Sequence, residues 1–403
     1  MVPSVNTKVR LLALGIALAF VAGCSSNPID QPSPLDWFEQ LRTETAHIGT
    51  AVAVLADGGV VAGGAGVGVA GDDEYDGVIV RLTSSGQVVW SYEAGFVSSA
   101  SVRALAVDSQ QRIWATGNVR SAVAADVTDA FVILLDAQGN ELAYALYEAD
   151  RGISIRAIEV LADGSAVLVG AHGSADESNA YILKVTPALA VDWDLSFGTP
   201  ASDAASAVAV DGSGFIYVAG TTSGALARPL LNSKDLFVIK FTSSGDPVWR
   251  GQLGTSDFNS LAGAALSPSG NLVLAGDSAA LLDRRLFAYT LSPAGDLVSY
   301  RFVATESFPW ATGMAVDSSG GVVLVGAVYG AFARPGGTSH DVFVLRWDSS
   351  GRESWRHQYT TGPHHDLAWA VAIDSEDNAF VVGQVGSSTP AGNTDMFVAR
   401  YRK

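Results

Sequence analysis

The densest group of side chains that could do chemistry is His364-His365-Asp366, which offers metal ligands or a general base. It lacks the H-E-x-x-H spacing of a zinc site and has no acidic cluster nearby, so we expect a solvated loop. Asp72-Asp73-Glu74-Tyr75-Asp76 supplies four carboxylates, which could hold Ca²⁺. Its spacing departs from the D-x-D-x-D-G calcium loop, which favours a solvated acidic loop. We therefore predict no metal site and no cofactor.

Serine and histidine chemistry also finds little support in the sequence. His47, His172, His340 and His357 are scattered, and Ser-Ser-Gly tripeptides recur as turns between the predicted strands. No G-x-S-x-G motif precedes a helical pattern, so these serines are predicted to be turn residues and not nucleophiles. The sequence contains a repeat, described below, and in its other copies a turn occupies the position of the acidic segment Asp374-Ser375-Glu376-Asp377-Asn378. We predict no catalytic residue.

A four-part sequence pattern recurs through the chain. The elements that it predicts must hold the side chains of any functional site. In one copy an apolar run ends in a turn at 211–214, a short strand ends at Gly220, a third run opens with Asp235, and a fourth carries Trp249. The equivalent glycines lie 50 to 57 residues apart: Gly64, Gly117, Gly170, Gly220, Gly276, Gly326 and Gly383. The fifth copy departs, because Arg285 stands where the other third runs open with Asp or Asn. Seven copies of one unit indicate a repeat architecture.

Each unit holds four short runs rich in Val, Ile, Ala and aromatic residues, separated by Gly, Ser and Asp turns. No long amphipathic helix pattern intervenes. Four short strands per unit are typical of a propeller blade, whose two faces are covered by the neighbouring blades. A parallel β-helix, the alternative, has much shorter repeats. We predict an all-β fold over residues 35–403, a seven-bladed β-propeller of four-stranded blades.

The seventh copy stops at Lys403 without a fourth strand. Near the other end, the segment Trp37-Phe38-Glu39-Gln40-Leu41 parallels the fourth strands that begin at Trp249 and Trp355. We therefore predict that an N-terminal strand forms the outermost strand of the last blade and closes the ring, which removes an unpaired edge.

The repeated phrase, AVAVDGSGFIYVAGTTSG followed by DLFVIKFTSSGDPVWRGQLG, resembles the SBBP (seven-bladed beta-propeller) repeat family of bacterial exported proteins. The resemblance covers nearly all of residues 35–403, with copies one, three and five matching less well. It implies a propeller and no shared catalytic set.

The first residues predict export. Lys8 and Arg10 precede an apolar run over 11–22, which is shorter than the ~20 residues of a membrane-spanning helix. Residues 1–23 are therefore predicted to be a signal peptide. The small residues before Cys24 resemble the lipoprotein signal family, which implies acylation of the Cys24 thiol.

Cys24 is the only cysteine, so the mature chain has no disulfide and no thiol nucleophile. Residues 24–34 are polar and rich in proline, which is typical of a tether. Ser25 after Cys24 resembles outer-membrane lipoproteins, so we expect an exported, lipid-anchored protein at the outer membrane or cell surface of a bacterium.

Charge narrows the range of partners. The chain carries a net charge of −17, and without residues 1–23 it keeps 22 basic and 41 acidic side chains, a net charge of −19. Such a surface repels phosphate, so we predict no nucleic-acid partner and a preference for cationic ones. We expect a monomer whose partners are the membrane, through its anchor, and an envelope protein or glycan.

The loops predict where such a partner would bind. The second-to-third-strand connections are long in copies one, two, four, six and seven, and in a propeller they share one face with the links between blades. Candidate contacts on this face are Arg228, Arg334 and Trp310, the last in a predicted link between blades. A packed aromatic is the alternative for Trp310, since Trp usually buries most of its surface.

We expect a non-enzymatic recognition or scaffold module of the bacterial envelope. One alternative is an extracytoplasmic enzyme, lyase-like or quinoprotein-like, with its site in the central channel, and another is a structural envelope component. An enzyme would need a concave pocket with convergent titratable groups, whereas a recognition face can be broad and shallow.

Overall fold

The structure is a computed structural model. It describes residues 33–41, 47–67, 75–96, 98–121, 127–148, 151–174, 177–231, 233–254, 258–279, 284–305, 307–334, 339–362, 364–386 and 394–403. These residues form strands and turns only, and none of them belongs to a helix of the length and apolarity needed to span a membrane. Residues 1–32 lie outside this description, so the signal peptide and the acylation of Cys24 stay predictions.

Twenty-eight strands form seven four-stranded antiparallel sheets, which confirms the predicted seven-bladed propeller. The strands of each blade are given from the inside outward. Blade 1 contains β2 (His47–Val54), β3 (Val60–Val67), β4 (Tyr75–Leu82) and β5 (Val88–Ala94). Blade 2 contains β6 (Ala100–Val107), β7 (Ile113–Arg120), β8 (Thr128–Leu135) and β9 (Glu141–Tyr147). Blade 3 contains β10 (Ile153–Val160), β11 (Ala166–His172), β12 (Asn179–Val185) and β13 (Val191–Phe197).

The remaining blades follow the same plan. Blade 4 contains β14 (Asp203–Val210), β15 (Ile216–Thr222), β16 (Asp235–Phe241) and β17 (Pro247–Leu253). Blade 5 contains β18 (Phe258–Leu266), β19 (Leu272–Ala279), β20 (Arg284–Leu291) and β21 (Leu297–Ala304). Blade 6 contains β22 (Phe308–Val316), β23 (Val322–Tyr329), β24 (His340–Trp347) and β25 (Glu353–Tyr359). Blade 7 contains β26 (Leu367–Ile373), β27 (Ala379–Gly386), β28 (Thr394–Tyr401) and, outermost, β1 (Leu35–Leu41).

The closing strand is confirmed. β1 pairs antiparallel with β28, and Trp37 lies opposite Arg400 as Trp249 lies opposite Lys240 in blade 4. The Gln40 amide donates to Asp395 at 2.7 Å, the contact that Gln252 makes with Asp235 in blade 4. The N-terminal segment therefore occupies the place of a repeat's fourth strand.

Burial explains the residue pattern of each blade. The third strand is apolar on both faces, and every residue of β16 is buried, because it lies between two adjacent blades. The outer strands alternate between exposed and half-buried positions, as in β13. The short turns after the first and third strands form one face of the disc, here called the turn face. The second-to-third-strand connections and the links between blades form the opposite loop face.

A recurring contact joins neighbouring blades at the turn face. The indole nitrogen of Trp249, on the outer strand of blade 4, donates to the Pro293 carbonyl in the next blade's turn at 3.1 Å. The Lys240 ammonium, one strand inward, donates to the same oxygen at 3.3 Å. The same arrangement occurs twice more, with Trp90 and Arg81 on Ala137 and with Trp193 and Lys184 on Ser243. We call this tryptophan and basic pair on one carbonyl the inter-blade latch.

Copies without the tryptophan also lack the basic residue. In blade 2 Ala143 lies opposite Leu134, and in blade 5 Ser299 lies opposite Thr290. Blade 6 keeps Trp355, but the third and outer strands of blade 7 are not joined by a turn. Among the described residues nothing accepts a hydrogen bond from Trp355 Nε1, because the turn that would supply the acceptor does not exist.

In each inter-blade latch the tryptophan ring also packs on the glycine of the turn that it contacts, namely Gly139, Gly245 and Gly295. Gly139 adopts a φ of 87°, and a Cβ there would lie 2.8 Å from the Trp90 ring. Gly270 adopts a similar φ of 78°, but nothing lies within 4 Å of its Cβ position. The positive φ thus favours glycine at both positions, whereas only Gly139 also packs against a neighbouring ring.

These two glycines allow the latch to be tested. Gly270→Ala should lower the free energy of unfolding by about 1–2 kcal/mol, the cost of a left-handed alanine. Gly139→Ala should cost about 1–3 kcal/mol more, because the new methyl group also overpacks Trp90. Chemical denaturation of both variants measures the difference, and equal losses would show that the ring contact contributes nothing to stability.

Candidate functional site

The loop face carries a cleft of about 460 Å³ where blades 5 and 6 meet. Its walls come from the ends of the second strands, the starts of the third strands and the start of inner strand β22. The side chains that define it are Asp277, Arg284, Phe308, Trp310, Tyr329 and His340. Four of these six are titratable groups, so the structure brings together a set that no sequence motif indicated.

Exposed aromatic rings form one side of the cleft. Phe308, Trp310 and Tyr329 are 48%, 40% and 44% exposed. Trp310 was predicted in a link between blades, but it is the third residue of β22, because Phe308–Val316 pairs with β23 along its whole length. Its ring packs edge-on against Trp369 of blade 7, with centroids 5.7 Å apart. Trp310 is therefore both packed and accessible to a ligand.

Asp277 is the acidic group of the cleft and is only 2% exposed. Its carboxylate accepts a hydrogen bond from the Ala311 amide at 3.1 Å, and Arg284 Nη1 lies 3.8 Å from it. Burial outweighs both contacts and raises the pKa of Asp277 to about 6. In blade 2 the equivalent residue is Asn118, whose amide oxygen accepts from the Ile155 amide at 2.7 Å. The structural role therefore does not require a carboxylate.

The raised pKa makes a prediction about stability and pH. A carboxyl group whose pKa is about 6 when folded and 3.8 when unfolded stabilises the fold fully below pH 3.8 and loses this contribution as the pH rises through 6. Asp277→Asn removes the titrating carboxyl group and keeps an oxygen that can accept the hydrogen bond from the Ala311 amide. Relative to this variant, wild type should lose about 2 kcal/mol between pH 4 and pH 7. Urea denaturation across this range measures the difference, and a constant difference would contradict the assignment.

His340 lies at the cleft wall and contacts His365 from the link between blades 6 and 7. Their Nδ1 atoms are 2.9 Å apart, and His365 Nδ1 also accepts from the His340 backbone amide at 3.1 Å. Desolvation, with smaller contributions from His365 and Arg284, lowers the pKa of His340. A lowered pKa favours the neutral imidazole, which can accept a proton as a general base does.

In the same link His364 is exposed, whereas Asp366 is structural. Asp366 was predicted to lie in a solvated loop, but it is fully buried and accepts hydrogen bonds from the amides of Thr361 at 2.6 Å and Gly386 at 2.9 Å. The segment 374–378 forms the predicted turn, in which Asp374 accepts from the Asn378 amide. Asp72, Asp73 and Glu74 lie outside the described residues. Within the described part of the chain, no group of three His, Cys, Asp or Glu side chains is placed to hold a metal ion.

Arg228 and Arg334 occupy equivalent loops in blades 4 and 6 and are not brought together. Arg228 Nη2 lies 3.2 Å from Asp235, and Arg334 Nη2 lies 3.0 Å from Asp341. Their side chains are 30% and 34% exposed. Much of their hydrogen-bonding capacity supports the loops, and a direct contact with a ligand stays a prediction for both.

A second cleft, of about 520 Å³, lies on the loop face beside blade 4. Small residues and loop backbone from 198–201 and 224–226 line it, and Arg250 is its charged side chain. It lacks the combination of aromatic and titratable groups found between blades 5 and 6. We therefore take the cleft between blades 5 and 6 as the candidate site.

The sheet order and the closing strand define this protein as a seven-bladed β-propeller. Residues 197–226 match the family model of SBBP, a beta-propeller repeat. This segment runs from the end of β13 through β15 into the next loop of blade 4. It is an SBBP repeat, in agreement with the resemblance found in the sequence. No curated protein matches the chain.

Several solved structures share the fold. YCF48 bound to a D1 peptide superposes with a TM-score of 0.52 at 13% identity, covering 94% of this chain and 98% of that one. The polysaccharide lyase Uly1 superposes with a TM-score of 0.55 at 10% identity, covering 91% and 99%. A polysaccharide lyase of the ulvan lyase family PL25 gives a TM-score of 0.55 at 11% identity, covering 89% and 95%. At these identities the likeness establishes the fold alone.

Proposed function

We propose that this propeller is a recognition module that binds a glycan in the cleft between blades 5 and 6. The observation that carries the proposal is the grouping of three exposed aromatic rings beside polar side chains in one concavity. An aromatic ring offers an apolar face to the C–H face of a sugar, while Arg284, His340 and Asp277 offer hydrogen bonds to its hydroxyl groups. Clustered aromatic exposure of this kind marks interaction sites.

The structural neighbours support a polymer as ligand without identifying it. Uly1 is a polysaccharide lyase, and YCF48 was solved with a peptide. Propellers of this shape therefore accommodate both kinds of chain. We favour the glycan because the cleft is rich in aromatic rings, and because the hydroxyl groups of a sugar suit its mixed donors and acceptors.

Replacing an aromatic residue of the cleft should weaken binding. Once a glycan is found by array screening, Trp310→Ala should weaken binding by about 30-fold or more, since central aromatic contacts contribute about 2 kcal/mol or more. Tyr329→Ala and Tyr300→Ala form a matched pair, because Tyr300 is 65% exposed on outer strand β21, away from the cleft. Calorimetric titration should show weaker binding for Tyr329→Ala only. Equal binding by all three variants and wild type would place the site elsewhere.

A second candidate is an enzyme acting in the same cleft. It is favoured by the convergence of Asp277, Tyr329 and His340, whose environments shift two of their pKa values. Asp277→Asn separates the two functions. A recognition module should keep its glycan affinity and show no turnover in either form, whereas an enzyme should lose turnover in the variant while the glycan still binds.

We further propose that the protein works outside the cytoplasm, exported and held to a bacterial membrane by acylated Cys24. The apolar run before Cys24 and the polar segment that follows support this placement. A glycan or an envelope protein would then be accessible to the loop face.

A further inference from the structure

All seven inner strands carry a β-bulge at the same level, and each bulge adds one residue that is unpaired with the second strand. Bulges re-aim side chains, and the inner strands of successive blades contact one another around the central axis. The seven extra residues form what we call the bulge ring. In blade order they are Thr50, Arg103, Arg156, Ser206, Ala262, Thr312 and Trp369.

Threonine at this position has a structural role. The Thr50 hydroxyl donates to the Val102 carbonyl of the next blade at 2.5 Å, and the Thr312 hydroxyl donates to the Ala368 carbonyl at 2.7 Å. A small hydroxyl side chain is therefore sufficient to join two inner strands. The position itself does not require a charge.

Two consecutive blades nevertheless carry arginine in the bulge ring. Arg103 and Arg156 are both exposed by surface area, and Arg156 Nη1 lies 3.4 Å from the Ser206 hydroxyl of the following blade. Desolvation lowers the pKa of both groups, and the charge of Arg103 lowers that of Arg156 further. The two cations are thus close together in the confined space around the axis.

Neither guanidinium has an anionic partner among the residues that the structure describes. Within the described ranges no carboxylate lies within ion-pair distance of Arg103 or Arg156, although the chain has 41 acidic residues against 24 basic ones. Other confined arginines are paired, as Arg346 is with Asp317 at 2.5 Å and Arg112 with Asp108 at 2.6 Å. Each guanidinium carries five donors and stays charged at neutral pH. Within the described part of the chain, the bulge ring therefore leaves two adjacent cations with most of their donors unmatched by an acceptor.

We propose that Arg103 and Arg156 form a binding site for one oxyanion, a sulfate or a carboxylate, that enters the central channel from the loop face. Two guanidinium groups from neighbouring strands can share such an anion through charge-assisted, fork-shaped hydrogen bonds. Binding would also relieve their mutual repulsion. The proposal does not depend on glycan binding in the cleft, because the arginines belong to blades 2 and 3 and the cleft to blades 5 and 6.

The test is a calorimetric titration of the full chain with sodium sulfate and, separately, with sodium glucuronate, at constant ionic strength set by chloride. We expect one site per chain with a Kd of about 1 mM for at least one of the anions. Arg103→Ala should weaken binding about tenfold, and the Arg103→Ala/Arg156→Ala double variant should show no saturable binding. The charge-matched control is Arg250→Ala/Arg301→Ala, which removes two arginines from outer strands β17 and β21 and should bind as wild type does.

The two anions separate the sources of the ligand. Tighter sulfate binding points to sulfate groups, and tighter glucuronate binding points to the carboxylate of an acidic sugar. The double variant should melt at or above the wild-type temperature in chloride, because the repulsion between the two guanidinium groups is lost and no carboxylate loses its partner. Arg156→Lys is a milder variant that keeps the positive charge. Absence of saturable binding of either anion to wild type, or equal binding to the double variant, would overturn the proposal. Loss of glycan binding in Trp310→Ala would leave it unaffected.

Discussion

Deletion of residues 35–41 is expected to destabilise the whole propeller by more than about 5 kcal/mol and to lower its melting temperature by about 10 °C or more. The deletion removes strand β1, so β28 becomes an unpaired edge. It also removes Phe38, whose ring stacks on Tyr359 at 4.5 Å and on Phe397 at 5.1 Å. Trp37, which donates to the Ser84 carbonyl of blade 1 at 3.0 Å, is lost with it.

A chain that begins at Ser33 is the control, because it keeps β1 and the hydrogen bond from the Arg402 amide to the Pro34 carbonyl. It should melt as the longer chain does. Trp37→Ala alone should cost about 3 kcal/mol, the lower end of the range for a large aromatic, because its ring is half-buried. If the deletion variant melted like its parent, another segment would have to close the ring.

Arg346→Met is expected to destabilise the protein by about 3–5 kcal/mol, the second large effect. Arg346 and Asp317 are each 3% exposed and form an ion pair at 2.5 Å. Arg346 Nη1 also donates to the Asp377 carbonyl of blade 7 at 2.7 Å, in place of the turn that blade 7 lacks. Removing the guanidinium leaves a buried carboxylate without its cation and removes one hydrogen bond between the last two blades.

The control is Arg352→Met, an exposed arginine on the same turn face, which should change stability by less than about 0.5 kcal/mol. The double variant Arg346→Met/Asp317→Asn should be more stable than Arg346→Met alone, because no charge is then left buried. Denaturant unfolding of wild type, Arg346→Met, Asp317→Asn and the double variant completes the cycle, with Arg352→Met measured beside them. A wild-type midpoint for Arg346→Met would show that this network contributes nothing to stability.

The repeat made the blades, their strands and the closing strand predictable, because turn glycines and outer-strand tryptophans recur at nearly constant spacing. The residues of the inter-blade latch recur in the same way. Lys184 lies opposite Trp193 and Lys240 lies opposite Trp249. Blades 2 and 5 lack both the tryptophan and the basic residue. The correlation between the two residue types is present in the sequence, whereas the shared carbonyl acceptor depends on the packing of neighbouring blades.

The candidate site was less predictable for a physical reason. Asp277, Trp310 and His340 come from three strands in two blades, and no short spacing in the chain links them. The bulge ring was more predictable from the sequence than the candidate site and less predictable than the blades. Arg103 and Arg156 are 53 residues apart, the repeat length, so the copies align them, but their orientation depends on a bulge that no residue pattern marks.

The direction of β1 bears on how an anchored copy would be oriented. β1 runs antiparallel to β28 and begins opposite Tyr401, so the chain enters the propeller at the turn face. A tether from Cys24 to Pro34 would span at most about 35 Å. If Cys24 carries a lipid, the turn face is held toward the bilayer, and both the cleft and the channel mouth point outward. The molecule would then sample ligands from the distal space and not from the lipid headgroups of its own membrane.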